Sequence, residues 1–197
     1  MRIIDARRSD AQQLAELINL AGEGIPLYLW QGMAPPGQSA LSFGTERAAR
    51  DEGGFSYKNA RVCLVEDTLA GMIIAYGQPD PYDLSDLENY PDIVQPLVHL
   101  EAKAPGSWYI NAVATFSAYR NQGVACRLIE EAEKQAIESG YSHASLIVAS
   151  ENRGARRLYL KLGYEVEASL PVITYPGALH GGDWELMIKQ IKRAANR

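Results

Sequence analysis

Arg120-Asn121-Gln122-Gly123-Val124-Ala125 lies between two segments of different periodicity, and its reading decides the fold. Upstream, Tyr109-Ile110-Asn111-Ala112-Val113-Ala114-Thr115 is an extended run. Downstream, Ala125, Leu128, Ile129, Ala132 and Ala136 recur at helical spacing, so the stretch reads as strand, tight turn and helix. A turn of small residues before a helix bares several backbone N–H groups, and these, with the positive end of the helix, favour an anion such as a pyrophosphate. On its own, the Arg-x-x-Gly-x-Ala pattern reads equally well as an ordinary structural turn.

The sequence that follows supplies context. An apolar strand, Ala144-Ser145-Leu146-Ile147-Val148, precedes Asn152-Arg153-Gly154-Ala155-Arg156-Arg157-Leu158-Tyr159-Leu160-Lys161-Leu162-Gly163-Tyr164. Together these segments resemble the GNAT acetyltransferases, whose acetyl-CoA motif reads Gln/Arg-x-x-Gly-x-Gly/Ala and whose next helix reads Asn-x-x-Ala-x-x-Leu-Tyr-x-Lys-x-Gly-Phe/Tyr. Both motifs occur in the family's order, within residues 109–164. The resemblance implies an α/β fold with a mixed, mostly antiparallel sheet flanked by helices, in one domain over residues 1–197. It also implies acetyl-CoA as co-substrate, no metal, and an amine of a small molecule or peptide as acceptor.

Composition sets outer limits. A chain of 197 residues is long enough for one domain with a substantial core. Its 47% hydrophobic and 22% charged content is that of a globular protein. A formal charge of −5 argues against nucleic acid as the default partner, since phosphate binding normally needs a basic surface. The basic clusters are Arg153 with Arg156 and Arg157, and the tail Lys189, Lys192, Arg193 and Arg197. Two cysteines, Cys63 in an apolar run and Cys126 at the start of the central helix, suit a reducing compartment. Met1-Arg2-Ile3-Ile4-Asp5 does not read as a signal peptide and no apolar run approaches membrane length, so the expectation is a cytoplasmic protein without a membrane partner. A homodimer is compatible with the sequence.

In chain order, Arg2 to Ala6 reads as a strand, and Ser9 with Gln12 as a capping box ahead of a helix bearing Leu14, Leu17 and Ile18 and stopped by Gly22 and Gly24. By resemblance, Tyr28, Trp30 and Met33 fall near the acceptor pocket; by character alone they are partly buried aromatic and apolar residues. Pro35-Pro36-Gly37 breaks the chain, and a short helix is expected over Thr45 to Glu52. Arg61 to Val65 and Leu69 to Tyr76 read as a hairpin connected by Glu66-Asp67-Thr68. Residues 79–105 form a Pro-rich acidic insertion carrying Asp80, Asp83, Asp86, Glu88, Asp92 and Glu101, expected as a long loop with a short helical piece near Ile93 to Leu100. It reads either as a solvated insertion or as a wall that attracts a cationic amine. Gly140 and Gly163 are expected to close their helices, and Trp184, Leu186 and Ile188 alternate as in a final antiparallel strand.

Acetyl transfer to an amine needs a held thioester, a neutral amine, stabilisation of the oxyanion and a proton for the departing thiolate. The resemblance implies that Val113, Ala114 and Thr115 pair through their backbone with the pantetheine arm. It assigns Gln122, Gly123, Val124, Ala125 and Cys126 as backbone donors to the pyrophosphate, with Arg120 alongside. Asn152 matches a residue that contacts the cofactor arm, and also reads as a helix cap. Ala155, Leu158, Tyr159 and Leu162 have the spacing of an apolar helix stripe, which makes Tyr159 a core residue by periodicity; by resemblance it is the general acid. No motif identifies the general base, for which Glu101, Asp92 and His180 are candidates, whereas His99 and His143 read as a loop and a strand-edge histidine. No metal-ligand spacing, P-loop or Rossmann glycine pattern is present. Two other readings are a non-catalytic acyl-CoA-binding or sensing domain and a protein N-terminal or lysine acetyltransferase.

Overall fold

The computed structural model describes residues 1–191. The basic residues Lys192, Arg193 and Arg197 lie outside the described residues. Seven strands form one sheet in the order β1-β2-β3-β4-β5-β7-β6, mostly antiparallel, with helices α1 to α6 in the connections. The chain divides into two compact units: Met1–Ala75 with Asn111–Ala132, and Tyr76–Ile110 with the residues from Glu133 onward.

In the first unit, β1 (Arg2–Asp5) pairs antiparallel with β2 (Ala60–Val65), which pairs antiparallel with β3 (Thr68–Gly77). The β2–β3 hairpin turns on Glu66 and Asp67, whose φ values of 48° and 62° match the twist of the strands they join. Ala70 to Ile74 are all buried, so β3 is covered on both faces. The helices of this unit are α1 (Ala11–Ala21), α2 (Ile25–Met33) and α3 (Ala40–Ala48). Leu14, Leu17 and Ile18 of α1 are fully buried, each contributing about 1.5–3 kcal/mol by removal from water.

The start of α1 differs from the sequence expectation. A 3-10 turn at Arg8–Asp10 leads into it, and the Asp10 carboxylate accepts the Arg7 N–H at 2.7 Å, so Ser9 and Gln12 are not the cap. The third helix is also displaced from the Thr45–Glu52 expectation. Ser39 accepts the Ser42 N–H at 3.2 Å and starts α3 at Ala40, so the helix has already ended at Ala48. Helix α2 carried no sequence signal beyond Pro26 in its first turn. It is held by Trp30, buried against Gly44 of α3, where any side chain would collide with the indole.

In the second unit, the first residues of β4 (Trp108–Thr115) run parallel to β5 (His143–Ala149), with Trp108 opposite Ala144 and Ile110 opposite Leu146. Strand β7 (Asp183–Gln190) is antiparallel to β5 on one side and to β6 (Glu165–Pro171) on the other. The acidic segment contains a 3-10 turn, Leu87–Asn89, and α4 (Gln95–Glu101), so His99 lies on a helix and not in a loop. Helix α5 (Val124–Glu138) carries the chain from the first unit into the second, and α6 (Arg153–Lys161) follows β5. Gly140 and Gly163 have φ of 87° and 89° just beyond α5 and α6, where only glycine adopts the left-handed cap without strain. Among the described residues no helix is long and apolar enough to cross a membrane.

Candidate functional site

The first unit places the end of β4, a turn and the start of α5 side by side. Phe116 N–H donates to the Ala70 carbonyl at 2.9 Å, which ties the end of β4 to β3. This closeness requires Gly71: a Cβ there would lie 2.6 Å from the Ala114 oxygen and 3.0 Å from Val124 Cγ1. Beyond a 3-10 turn at Ser117–Tyr119 the chain reverses through Asn121 and Gly123, with φ of 60° and 84°. Arg127 N–H donates to Gly123 O at 3.1 Å as the helix begins. By helix geometry the amides of the turn before it have no intrahelical acceptor.

Val113, Ala114, Thr115, Arg120, Gln122, Gly123, Val124, Ala125 and Cys126 are thus brought together on one strand–turn–helix. Val124 is 1% exposed and anchors the turn, Ala125 and Cys126 are half-buried, and Arg120 is exposed. Gln122 folds its side chain back to donate to the Ala118 carbonyl at 3.1 Å. A Cβ added at Gly123 would meet nothing within 4 Å, so the space in front of the turn is open. Thr115 Oγ1 is buried without a hydrogen-bond partner among the described residues. Open space, amides without intrahelical acceptors, the positive end of a 15-residue helix and an orphaned hydroxyl fit a pyrophosphate-bearing group.

Asn152 and Tyr159 lie in the second unit, both on α6. The Asn152 side chain accepts the Ala155 N–H at 3.2 Å, so it caps the helix. Tyr159 is 7% exposed and meets Tyr164 edge to face, with ring centroids 6.2 Å apart. Tyr164 is braced in turn by Lys189, whose ammonium lies 5.6 Å from the ring centroid and donates to both Glu133 oxygens at 2.7 and 2.8 Å. Burial beside Glu133 pushes the Tyr164 hydroxyl's pKa well up, so it stays neutral. The same helix presents Arg153, Arg156 and Arg157 to a cavity of about 580 Å³ shared with Ser150 and Glu185, where Arg156 is tied to Glu185 at 2.6 Å.

The acidic segment is not uniform. Asp80, Asp83, Asp86, Glu88 and Asp92 are exposed, whereas Glu101 at the end of α4 is half-buried. Its Oε2 accepts a hydrogen bond from the Tyr82 hydroxyl at 2.7 Å, and the nearby Tyr109 hydroxyl also favours its charged form. Tyr109 meets Tyr76 edge on, with centroids 6.0 Å apart. Burial raises the Glu101 pKa despite both phenols, and it raises those of Tyr82 and Tyr109 as well. Of the three candidate bases, Asp92 is exposed, His180 is half-buried in the connection between β6 and β7, and Glu101 is half-buried beneath the Tyr82 hydroxyl. Tyr82 and Tyr109 escaped sequence reasoning, since phenols 19 and 8 residues from Glu101 share no motif with it. Among the described residues no three His, Cys, Asp or Glu side chains group as metal ligands.

The model of the Acetyltransferase (GNAT) family matches residues 28–164, well over half of the chain, and the protein belongs to that family. No curated protein sequence matches it. A crystal structure described as an acetyltransferase superposes with a TM-score of 0.67 at 20% identity, over 98% of this chain and 100% of the other. The polyamine N-acetyltransferase of Drosophila melanogaster, which forms N-acetylagmatine, gives 0.66 at 15% identity over 96% and 99% of the two chains. The yncA protein of Salmonella typhimurium, solved with its cofactor acetyl-CoA, gives 0.58 at 15% identity over 100% and 97%. These likenesses establish the fold that the sequence resemblance implied.

Proposed function

We propose that this protein transfers an acetyl group from acetyl-CoA to a primary amine of a small molecule or peptide. The observation that carries the proposal is the open, amide-lined turn before α5, with Gly123 at φ 84° facing free space. Membership of the GNAT family supports it, as does a neighbour solved with acetyl-CoA. When bound, acetyl-CoA supplies the activated acyl group. The backbone of Gln122 to Cys126 holds the pyrophosphate, and Arg120, exposed beside it, adds charge-assisted contact. Val113 to Thr115 at the end of β4 align the pantetheine arm, and Asn152 orients it while also capping α6. Tyr159 donates its phenolic proton to the departing thiolate; its packing against Tyr164 fixes the ring's orientation.

Mixing the protein with acetyl-CoA and a panel of amines and measuring released thiol tests the reading. Release with small amines, and not with peptides, selects the small-molecule acceptor; acetyl-CoA binding without release from any amine or peptide marks a non-catalytic acyl-CoA-binding domain. Tyr159→Phe keeps the packed ring and removes the acid, so turnover should fall by roughly 10²- to 10⁴-fold with acetyl-CoA affinity little changed. A folded Phe variant with full turnover would return Tyr159 to a purely structural role.

A further inference from the structure

Helix α6 begins with an arrangement that its own electrostatics oppose. Arg153, Arg156 and Arg157 stand at i, i+3 and i+4 from its first residue, and no acidic residue occupies its first turn. The N-terminal end of a helix is the positive pole of its dipole, so cations there are disfavoured, and like charges three and four positions apart repel each other across the helix surface. One of the three is compensated, since Arg156 Nε donates to Glu185 Oε2 of β7 at 2.6 Å. Arg157 Nε donates to the Arg153 carbonyl at 3.1 Å, which holds its guanidinium in place. Among the described residues neither Arg153 nor Arg157 is paired with a carboxylate.

These guanidiniums line open space. Together with Ser150 and Glu185 they bound the cavity of about 580 Å³, entirely within the second unit, and Glu185 lies opposite Val148, so the cavity flanks the β5–β7 pair. Its size is that of a small-ligand site. Ser150 adds a donor: its Oγ accepts the Asp183 N–H at 3.0 Å, while its own O–H has no acceptor among the described residues. The carboxylate next in sequence, Glu151, is held on the Gly181 N–H at 3.0 Å and does not line the cavity.

We propose that this cavity is a binding site for a small phosphate monoester. With Arg156 set against Glu185, the lining keeps the charge of two guanidiniums, and a phosphate monoester, carrying roughly −1.5 to −2 at pH 7, balances it. The planar donor forks of Arg153 and Arg157 match phosphate oxygens bidentately, and the Ser150 O–H serves a further oxygen. Such a ligand removes the repulsion built into the start of α6, and the remaining volume takes its organic part. The site does not depend on the acetyl-transfer reading.

The test is calorimetric titration of glycerol 3-phosphate, and separately of glycerol, into the protein with and without saturating CoA. The parent should bind glycerol 3-phosphate and not glycerol, equally well in both states. Arg153→Gln with Arg157→Gln should weaken that binding about 10- to 100-fold while acetyl-CoA affinity stays within about twofold, as loss of charge-assisted hydrogen bonds confined to this site does. Arg157→Lys keeps the charge and loses the fork, so it should fall between parent and double variant; it carries the test if the double variant fails to fold. No saturable binding by the parent, equal binding of glycerol, or parent-like affinity in the folded variants overturns the proposal. Loss of the binding in the presence of CoA, or a matching loss of acetyl-CoA affinity in the variants, overturns it as well, by giving the arginines to the cofactor's own phosphates.

Discussion

Gly123 carries more of the site than any neighbouring side chain, because its conformation and its emptiness are both used. A φ of 84° strains any L-residue, and the position of a Cβ there faces open space where the pyrophosphate is assigned. Since that space is unobstructed by protein, Gly123→Glu should fold and yet weaken acetyl-CoA binding severely, by crowding and by charge repulsion together. Calorimetry returning the parent affinity for the variant would remove the phosphate-loop assignment. The contrast with Gly71 is instructive: there a side chain would strike the Ala114 oxygen and Val124, so substitution at Gly71 disturbs the end of β4 itself. Tyr159 illustrates a double constraint, since the apolar stripe that buries it also holds its ring for the chemistry assigned to it.

At the scale of elements, the acidic segment holds carboxylates of two degrees of exposure. Glu101, on α4, is sheltered, while Asp83, Asp86 and Glu88 are exposed around the Leu87–Asn89 turn. At about 0.15 M salt the Debye length is about 8 Å, so the exposed charges act on an approaching cation only weakly and lose influence as salt rises. Neutralising Asp83, Asp86 and Glu88 together should raise the KM of a cationic acceptor at low salt, with the effect fading at high salt and acetyl-CoA affinity unaltered. Steady-state kinetics at two ionic strengths checks this; identical KM values for triple variant and parent at both would leave the segment without a steering role.

At the scale of the whole molecule, a co-substrate that binds only the native chain must stabilise it. With acetyl-CoA at 100 times its Kd the gain is about 2.7 kcal/mol, which for a chain of this size raises Tm by roughly 5–11 °C. Differential scanning calorimetry of the parent should show this shift and Gly123→Glu should lack it; a parent Tm indifferent to acetyl-CoA would contradict the binding assignment. The family assignment rests on residues 28–164 together with the fold, and the seven-stranded order β1-β2-β3-β4-β5-β7-β6 includes a parallel contact of β4 with β5 beside antiparallel pairings such as β1 with β2 and β5 with β7.

The residues alone determined most of the strand and helix sequence, the hairpin on Glu66-Asp67, the short helix in the acidic segment and the glycine caps, because each rests on periodicity or turn chemistry within a few residues. The turn before α5 was legible for the same reason: it rests on Gly123 and small neighbours between a strand and a helix. Helix α2 and the true limits of α3 were not, since Trp30 packing on Gly44 joins residues 14 positions apart and a serine cap outweighed the helical spacing downstream. Only the tertiary structure distinguished Glu101 from the exposed carboxylates around it. Its character comes from burial and from Tyr82 and Tyr109, which the chain's path brings to it across intervals that leave no mark in local sequence.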